Sequence, residues 1–206
     1  MFQEVLNWVY PSKCALCARF ADSAICTDCR GTFRTFDDRP VKSSGALDSQ
    51  FRLFRHEERA AQAVRRLKYS RATSLVEPLS HLIADAIVRG DYPSQAVVVP
   101  VPIHWSRRIE RGFNQAEGLC EAIRTRPVNT KILARTKRTR SQVGLLRDLR
   151  LSNLENAFRA APEVDNMDII LVDDVSTTGA TGRACASALK IAGARQVHFL
   201  TLTAEA

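Results

Sequence analysis

The stretch "IILVDDVSTTGATG", residues 169–182, sets Asp173 and Asp174 at the end of an apolar run and follows them with hydroxyls and glycines. Adjacent carboxylates repel each other unless a cation or a hydroxyl-rich ligand meets them. They fall at the carboxyl end of an expected strand and before an expected helix, where open parallel sheets gather their ligands. Gly179 permits backbone angles that side chains resist, while Thr177, Thr178 and Thr181 bring hydroxyls beside backbone amides. Such a loop can cradle a phosphate through N–H groups and the helix dipole. The aspartates then suit a different part of the same ligand. They can accept hydrogen bonds from adjacent ribose hydroxyls and lie near a magnesium ion held mainly by phosphate and water. A sugar phosphate bound at both ends is the chemistry this pattern predicts. No Gly-Lys-Ser/Thr follows the glycines, which excludes a Walker-type loop. A plain acidic turn is the competing reading of an isolated Asp-Asp.

A second constellation stands near the N-terminus. Cys14 and Cys17 form one C-x-x-C pair, and Cys26 and Cys29 form another after eight intervening residues. Two such turns present four thiolates, a closed tetrahedral shell for structural zinc. A thioredoxin-like redox pair is the rival, but two consecutive pairs outside a βαβ unit point to metal. Cys120 and Cys185 stand apart and read as core thiols within helices.

Two basic segments offer partners for anions. The strand "AVVVPV" is followed by His104, Arg107, Arg108 and Arg111, which can neutralise diphosphate oxygens. Residues 131–150 carry seven Lys or Arg against one Asp, more asymmetry than a balanced helix surface requires. For any one of these arginines, a solvated basic surface is the plain alternative.

The elements that must position these groups follow from apolar periodicity. Phe2, Val5, Leu6 and Val9 predict a short helix ended by Pro11, leading into the cysteines. Residues 39–50, rich in Pro, Ser and Gly, read as a linker. Beyond it, apolar runs alternate with helical patterns as in a parallel α/β domain. "SLVEPLSHLIADAIVRG" predicts a helix with a capping box at Ser74 and Glu77 and a stop at Gly90. "NQAEGLCEAIR" predicts another, capped by Asn114. A short strand near 130–134, the strand 168–174, a helix through 182–192 stopped by Gly193, and the strand 196–204 complete the order. The organisation expected is residues 1–38 as a helix and zinc module, 39–50 as linker and 51–206 as the main domain.

"VDDVSTTGAT" resembles the phosphoribosyl-pyrophosphate (PRPP) loop of type I phosphoribosyltransferases. Within that superfamily the chain is similar to the ComF competence-associated group. This narrower resemblance rests on the cysteine pairs, "LKY" at 67–69, "VPVPIHWSRRIERGFNQ" at 99–115, "RTRSQVGLLRDLRLSN" at 138–153 and "AF" at 157–158. It implies a type I phosphoribosyltransferase-like parallel sheet flanked by helices, with a small N-terminal zinc ribbon. It further implies PRPP contacts from Asp173, Asp174, the loop Ser176, Thr177, Thr178, Gly179, Ala180 and Thr181, and from Pro102, Arg108, Arg111 and Lys68. Asn114 and Gln115 belong to the family signature. Arg140, Gln142, Arg147 and Asn153 match a hood that closes over the reacting centre, with Arg140 and Arg147 as the catalytic candidates. The glycine that the family often has shortly after "KY" is absent from "KYSRATS". Magnesium with PRPP and structural zinc are the implied cofactors.

The chain has 206 residues, 45% of them apolar, enough for one domain with a small appendage. Its formal charge of +8 makes a polyanion a natural partner. The first ten residues lack a basic export signal and no stretch matches a membrane span, so a cytoplasmic location without membrane insertion is expected. In that compartment the cysteines are reduced.

Three functions remain open at this level. One is a transferase that passes phosphoribosyl from PRPP to a small-molecule acceptor. Another is a single-stranded DNA-binding protein of natural competence, with Phe33, Phe36, Phe51, Phe54 and Trp105 as a stacking surface among basic residues. The third is a scaffold for other competence or recombination proteins. The competing assignment puts most of those aromatics in the core.

Overall fold

The computed structural model describes residues 13–69, 72–136 and 156–205. The expected helix at 2–9 lies outside them, as do Arg140, Gln142, Arg147 and Asn153. The main sheet runs in the order β1-β2-β7-β6-β3, from β1 (Val41–Lys42), β2 (Ser49–Arg55), β3 (Val97–Pro100), β6 (Asp168–Ser176) and β7 (Gln196–Ala204). The β2, β7, β6 and β3 strands are parallel, and β1 pairs antiparallel at one edge. The stretch expected as a linker therefore supplies β1 and the first residues of β2, and its Leu47 is buried.

Strand alternation divides the core. Ile170 and Val172 of β6 share one face with Leu200 and Leu202 of β7. On that face pack α2 (Glu58–Tyr69), through Val64 and Leu67, and α3 (Val76–Arg89), through Leu79 and Ile83. Ile169 and Leu171 point the other way, with Val197 and Phe199, against Cys185 and Leu189 of α6 (Ala180–Ile191). Helices thus cover both faces, as a parallel sheet requires.

Three local expectations are corrected. The Ser74–Glu77 capping box does not form: Thr73–Leu75 is a 3-10 turn, and α3 starts at Val76 with no side-chain cap. The helix expected over 114–124 is short. Asn114 caps it, accepting from Ala116 N–H at 3.1 Å, but α5 spans only Gln115–Gly118 before the chain turns. Cys120 is accordingly a buried thiol in a turn, while Cys185 is buried in a helix as expected. The strand near 130–134 appears as β4 (Leu133–Arg135), yet it pairs with β5 (Phe158–Ala160) in a separate two-stranded sheet.

The cysteine module packs onto the same core. Cys14, Leu16, Ile25, Cys29 and Phe33 cluster with Phe51, Phe54 and the α2 residues. Two arginines of α2 fasten it: Arg59 donates to the carbonyl of Leu16 at 2.8 Å, and Arg66 donates to that of Ala15. These bonds satisfy carbonyls in the first cysteine turn that helix and sheet cannot reach.

Candidate functional site

The residue parity of β6 explains how two neighbouring aspartates coexist. Asp174 continues the Ile170 and Val172 face and meets Lys68 at the end of α2, with Oδ1 2.9 Å from Nζ. Asp173 continues the opposite face, toward β4, where Arg135 weakens the cost of its charge. Burial and then the charge of Asp174 push the Asp173 carboxyl up to about 7, against the smaller pull of Lys68 and Arg135. Its Oδ1 accepts from Asp174 N–H at 2.9 Å. Lys68 therefore supplies part of the cationic charge that the paired aspartates require.

Both aspartates line a cavity of about 160 Å³ together with Lys68, Arg107, Arg111, Arg135 and Thr181. Val101 and Ile103, on either side of Pro102, form a wall after β3. The cations arrive by separate routes. Arg107 and Arg111 come from α4 (Trp105–Arg111), whose N-cap His104 accepts from Ser106 N–H at 3.3 Å. Arg111 donates to Gln115 at 3.1 Å and lies over the Tyr69 ring. Gly112, at φ +85, is the left-handed cap that ends α4 and lets α5 begin three residues later. Asn114 and Gln115 are buried, and Asn114 Nδ2 donates to the Val101 carbonyl at 3.1 Å. The "RGFNQ" motif thus builds the cavity wall.

The expected assignment of Arg108 does not match this geometry. Arg108 points to the surface, 3.0 Å from Glu117, and Arg107 stands on the cavity in its place. Arg135 was not singled out in the sequence at all; the only signal was its membership of the basic run 131–150. It lies over the Phe158 ring, and burial together with Arg107 lowers its pKa.

The loop after β6 leads directly into α6. Gly179 sits at φ +70 as the N-cap, and Thr178 Oγ1 accepts from Ala180 N–H at 3.3 Å. Arg183, one turn into the helix, donates to the Thr178 carbonyl at 2.8 Å and fixes the loop from below. Ser176 is buried at the strand end, whereas Thr177 is exposed.

The four cysteines form a second centre. Their sulfur atoms all lie within 4.8 Å of one another, and Cys17 and Cys26 Sγ are 3.7 Å apart. Cys14 Sγ accepts from the backbone N–H of Leu16 and of Cys26, each at 3.4 Å. Burial opposes ionisation of Cys14, yet these bonds draw its pKa below the ordinary thiol value. Convergent soft donors with N–H groups directed at sulfur fit a tetrahedral metal ion such as zinc.

Of the proposed stacking aromatics, Phe33, Phe51 and Phe54 are buried. Phe36 lies under Arg52 at 4.2 Å, and only Trp105, 66% exposed, stands open.

This arrangement, a parallel sheet ending in paired carboxylates before a hydroxyl-rich loop, defines a phosphoribosyltransferase-type domain, and residues 112–206 match the Phosphoribosyl transferase domain family. The DNA utilization protein YhgH of Escherichia coli (strain K12) is 33% identical over 150 residues, covering 68% of this chain and 64% of that protein. Competence protein ComFC of Bacillus subtilis (strain 168) is 27% identical over 176 residues, covering 82% of this chain and 67% of the relative. Competence protein F of Haemophilus influenzae is 34% identical over 107 residues, covering 49% of this chain and 47% of that one. The chain belongs to the ComF-type phosphoribosyltransferase-like family. Its match spans a little under two thirds of the length of YhgH.

Proposed function

We propose that the chain binds PRPP with magnesium in the Asp173–Asp174 cavity and acts in natural competence or DNA uptake. The observation that carries this reading is the convergence of Lys68, Arg107, Arg111 and Arg135 on two carboxylates beside a phosphate-cradle loop. Asp173 and Asp174 would accept from the ribose hydroxyls, and the amides and hydroxyls of residues 176–181 would hold the 5′-phosphate. The arginines and Lys68 would face the diphosphate. Magnesium, when bound, adds positive charge across the diphosphate oxygens. Arg140 and Arg147, outside the described residues, would complete the hood if transfer to an acceptor occurs.

Structural zinc in the four-cysteine centre belongs to the same reading, as does a cytoplasmic setting that keeps those thiols reduced. Among the described residues no helix is long and apolar enough to cross a membrane. Competence enters through the relatives named above. Single-stranded DNA as a partner is supported by the formal charge of +8 and exposed Trp105, more narrowly than the sequence suggested, since three of the five aromatics are core. Recombination or competence proteins are the further partners proposed.

Calorimetry with PRPP and magnesium tests the small-molecule site. The double variant Asp173→Asn, Asp174→Asn is expected to bind at least about a hundredfold more weakly, since two charge-assisted hydrogen-bond acceptors are lost. Equal affinity in wild type and variant would remove the proposal.

A further inference from the structure

On the sheet face that carries the cysteine module, a second cleft of about 270 Å³ opens between that module and α3, remote in sequence from the aspartate cavity. Its walls are Arg30, from α1 (Thr27–Gly31) in the second cysteine turn, and Arg89, from the last turn of α3. Each guanidinium is held on aromatic rings. Arg30 lies 4.6 Å from the Phe54 centroid and 5.2 Å from that of Phe33, while Arg89 lies 5.7 Å from Phe51. Such rings fix a cation's position without neutralising it.

Among the described residues, no carboxylate stands within ion-pair distance of either arginine. Asp37, on the cleft wall, is taken by Arg52, which reaches its two oxygens at 2.8 and 3.0 Å. Asp85 sits at the rim, one turn before Arg89, and makes no ion pair with either arginine. The two side chains line the same cleft from opposite elements, α1 and the end of α3. Two like charges held toward one water-accessible gap attract an anion that bridges them. Thr35 adds a hydroxyl, and Leu53, Phe54 and Leu82 form an apolar floor.

We propose that this cleft is a second anion site, which takes the phosphate of a nucleoside monophosphate between Arg30 and Arg89 and its base against the apolar floor. The rim carboxylate of Asp85 suits an exocyclic amine, so adenosine monophosphate is the fitting probe. None of the residues involved belongs to the aspartate cavity, so the two sites fail independently.

The test is calorimetry of the full chain with its metal bound, titrated with adenosine monophosphate and separately with inorganic phosphate. Arg89→Gln and Arg30→Gln are each expected to weaken nucleotide binding about tenfold or more, the worth of one charge-assisted contact. Asp173→Asn, Asp174→Asn is expected to leave it unchanged. Arg89 is exposed, so its variant should melt like wild type, which separates lost contact from lost fold. Nucleotide affinity unaltered in both arginine variants, or abolished by the aspartate variant, would overturn the assignment. So would absence of binding at millimolar nucleotide. Inorganic phosphate is expected to bind more weakly than the nucleotide, and equal affinity would refute the place given to the base.

Discussion

The sulfur ligands of the metal-type centre all come from positions 14 to 29, whereas the groups around the paired aspartates come from positions as far apart as 68 and 181. The first site is carried by two tight turns, and its chemistry is written in spacing. The second exists only because a strand end, four helices and a separate two-stranded sheet meet. The contrast extends to charge. Cys14 Sγ receives two backbone N–H groups, and the four sulfurs converge within 4.8 Å of one another, as a closed shell requires. In the aspartate cavity the side chains leave space, with Lys68 and the arginines spread around it. A closed shell stabilises, while an open cavity with cations in excess of its carboxylates suits an exchangeable anionic ligand.

The largest test of this contrast is removal of the metal. Because Cys14 and Cys29 belong to the cluster that also contains Phe51 and Val64, Cys29→Ser is expected to lose the metal and destabilise the whole domain. Structural zinc contributes roughly 10–16 kcal/mol in isolated finger peptides, of which a packed domain would forfeit part. Thermal unfolding with metal analysis checks this. A melting temperature unchanged on metal loss would mean that the centre is structurally idle.

A middle-sized effect concerns Asp173. Its carboxyl titrates at about 7 in the folded chain, against an ordinary value of 3.8, so the folded state retains a proton that the unfolded chain has lost. That contribution is complete below about pH 4 and is lost as pH rises through about 7. Asp173→Asn should flatten this part of the stability-pH curve, measured by urea melts between pH 4 and 8. Ligand binding should run the other way, strengthening as the carboxylate forms.

The smallest difference separates neighbours. Arg107→Ala is expected to weaken PRPP binding about tenfold, and Arg108→Ala less than about threefold, because an exposed pair such as Arg108–Glu117 contributes at most about 1 kcal/mol. Equal losses by calorimetry would mean that the cavity wall is misassigned.

These particulars also show what a sequence can carry. The strand 196–204, the helix through 182–192 and its stop at Gly193 follow from apolar periodicity and one glycine, and the structure has them at Gln196–Ala204 and Ala180–Ile191. Gly193, at φ +96, takes the left-handed turn. The choice between Arg107 and Arg108 was not legible, since successive helix positions face different directions and only packing decides which one meets the cavity. Arg135 was hidden for a stronger reason. It matters because β4 leaves the main sheet and pairs with β5, a long-range event that a run of basic residues does not encode. The short α5 has a similar cause: Gly118 packs against Val76 and Phe113, and the chain turns there instead of continuing its helical pattern.

The α2 helix touches both centres. Near its start, Arg59 grips the carbonyl of Leu16 beside the cysteines, and near its end Lys68 grips Asp174. Nine residues of α-helix separate the two grips, a strut of roughly 14 Å that does not stretch. A displacement of the cysteine knuckle is thus linked, through a single helix, to the ammonium that pairs with Asp174.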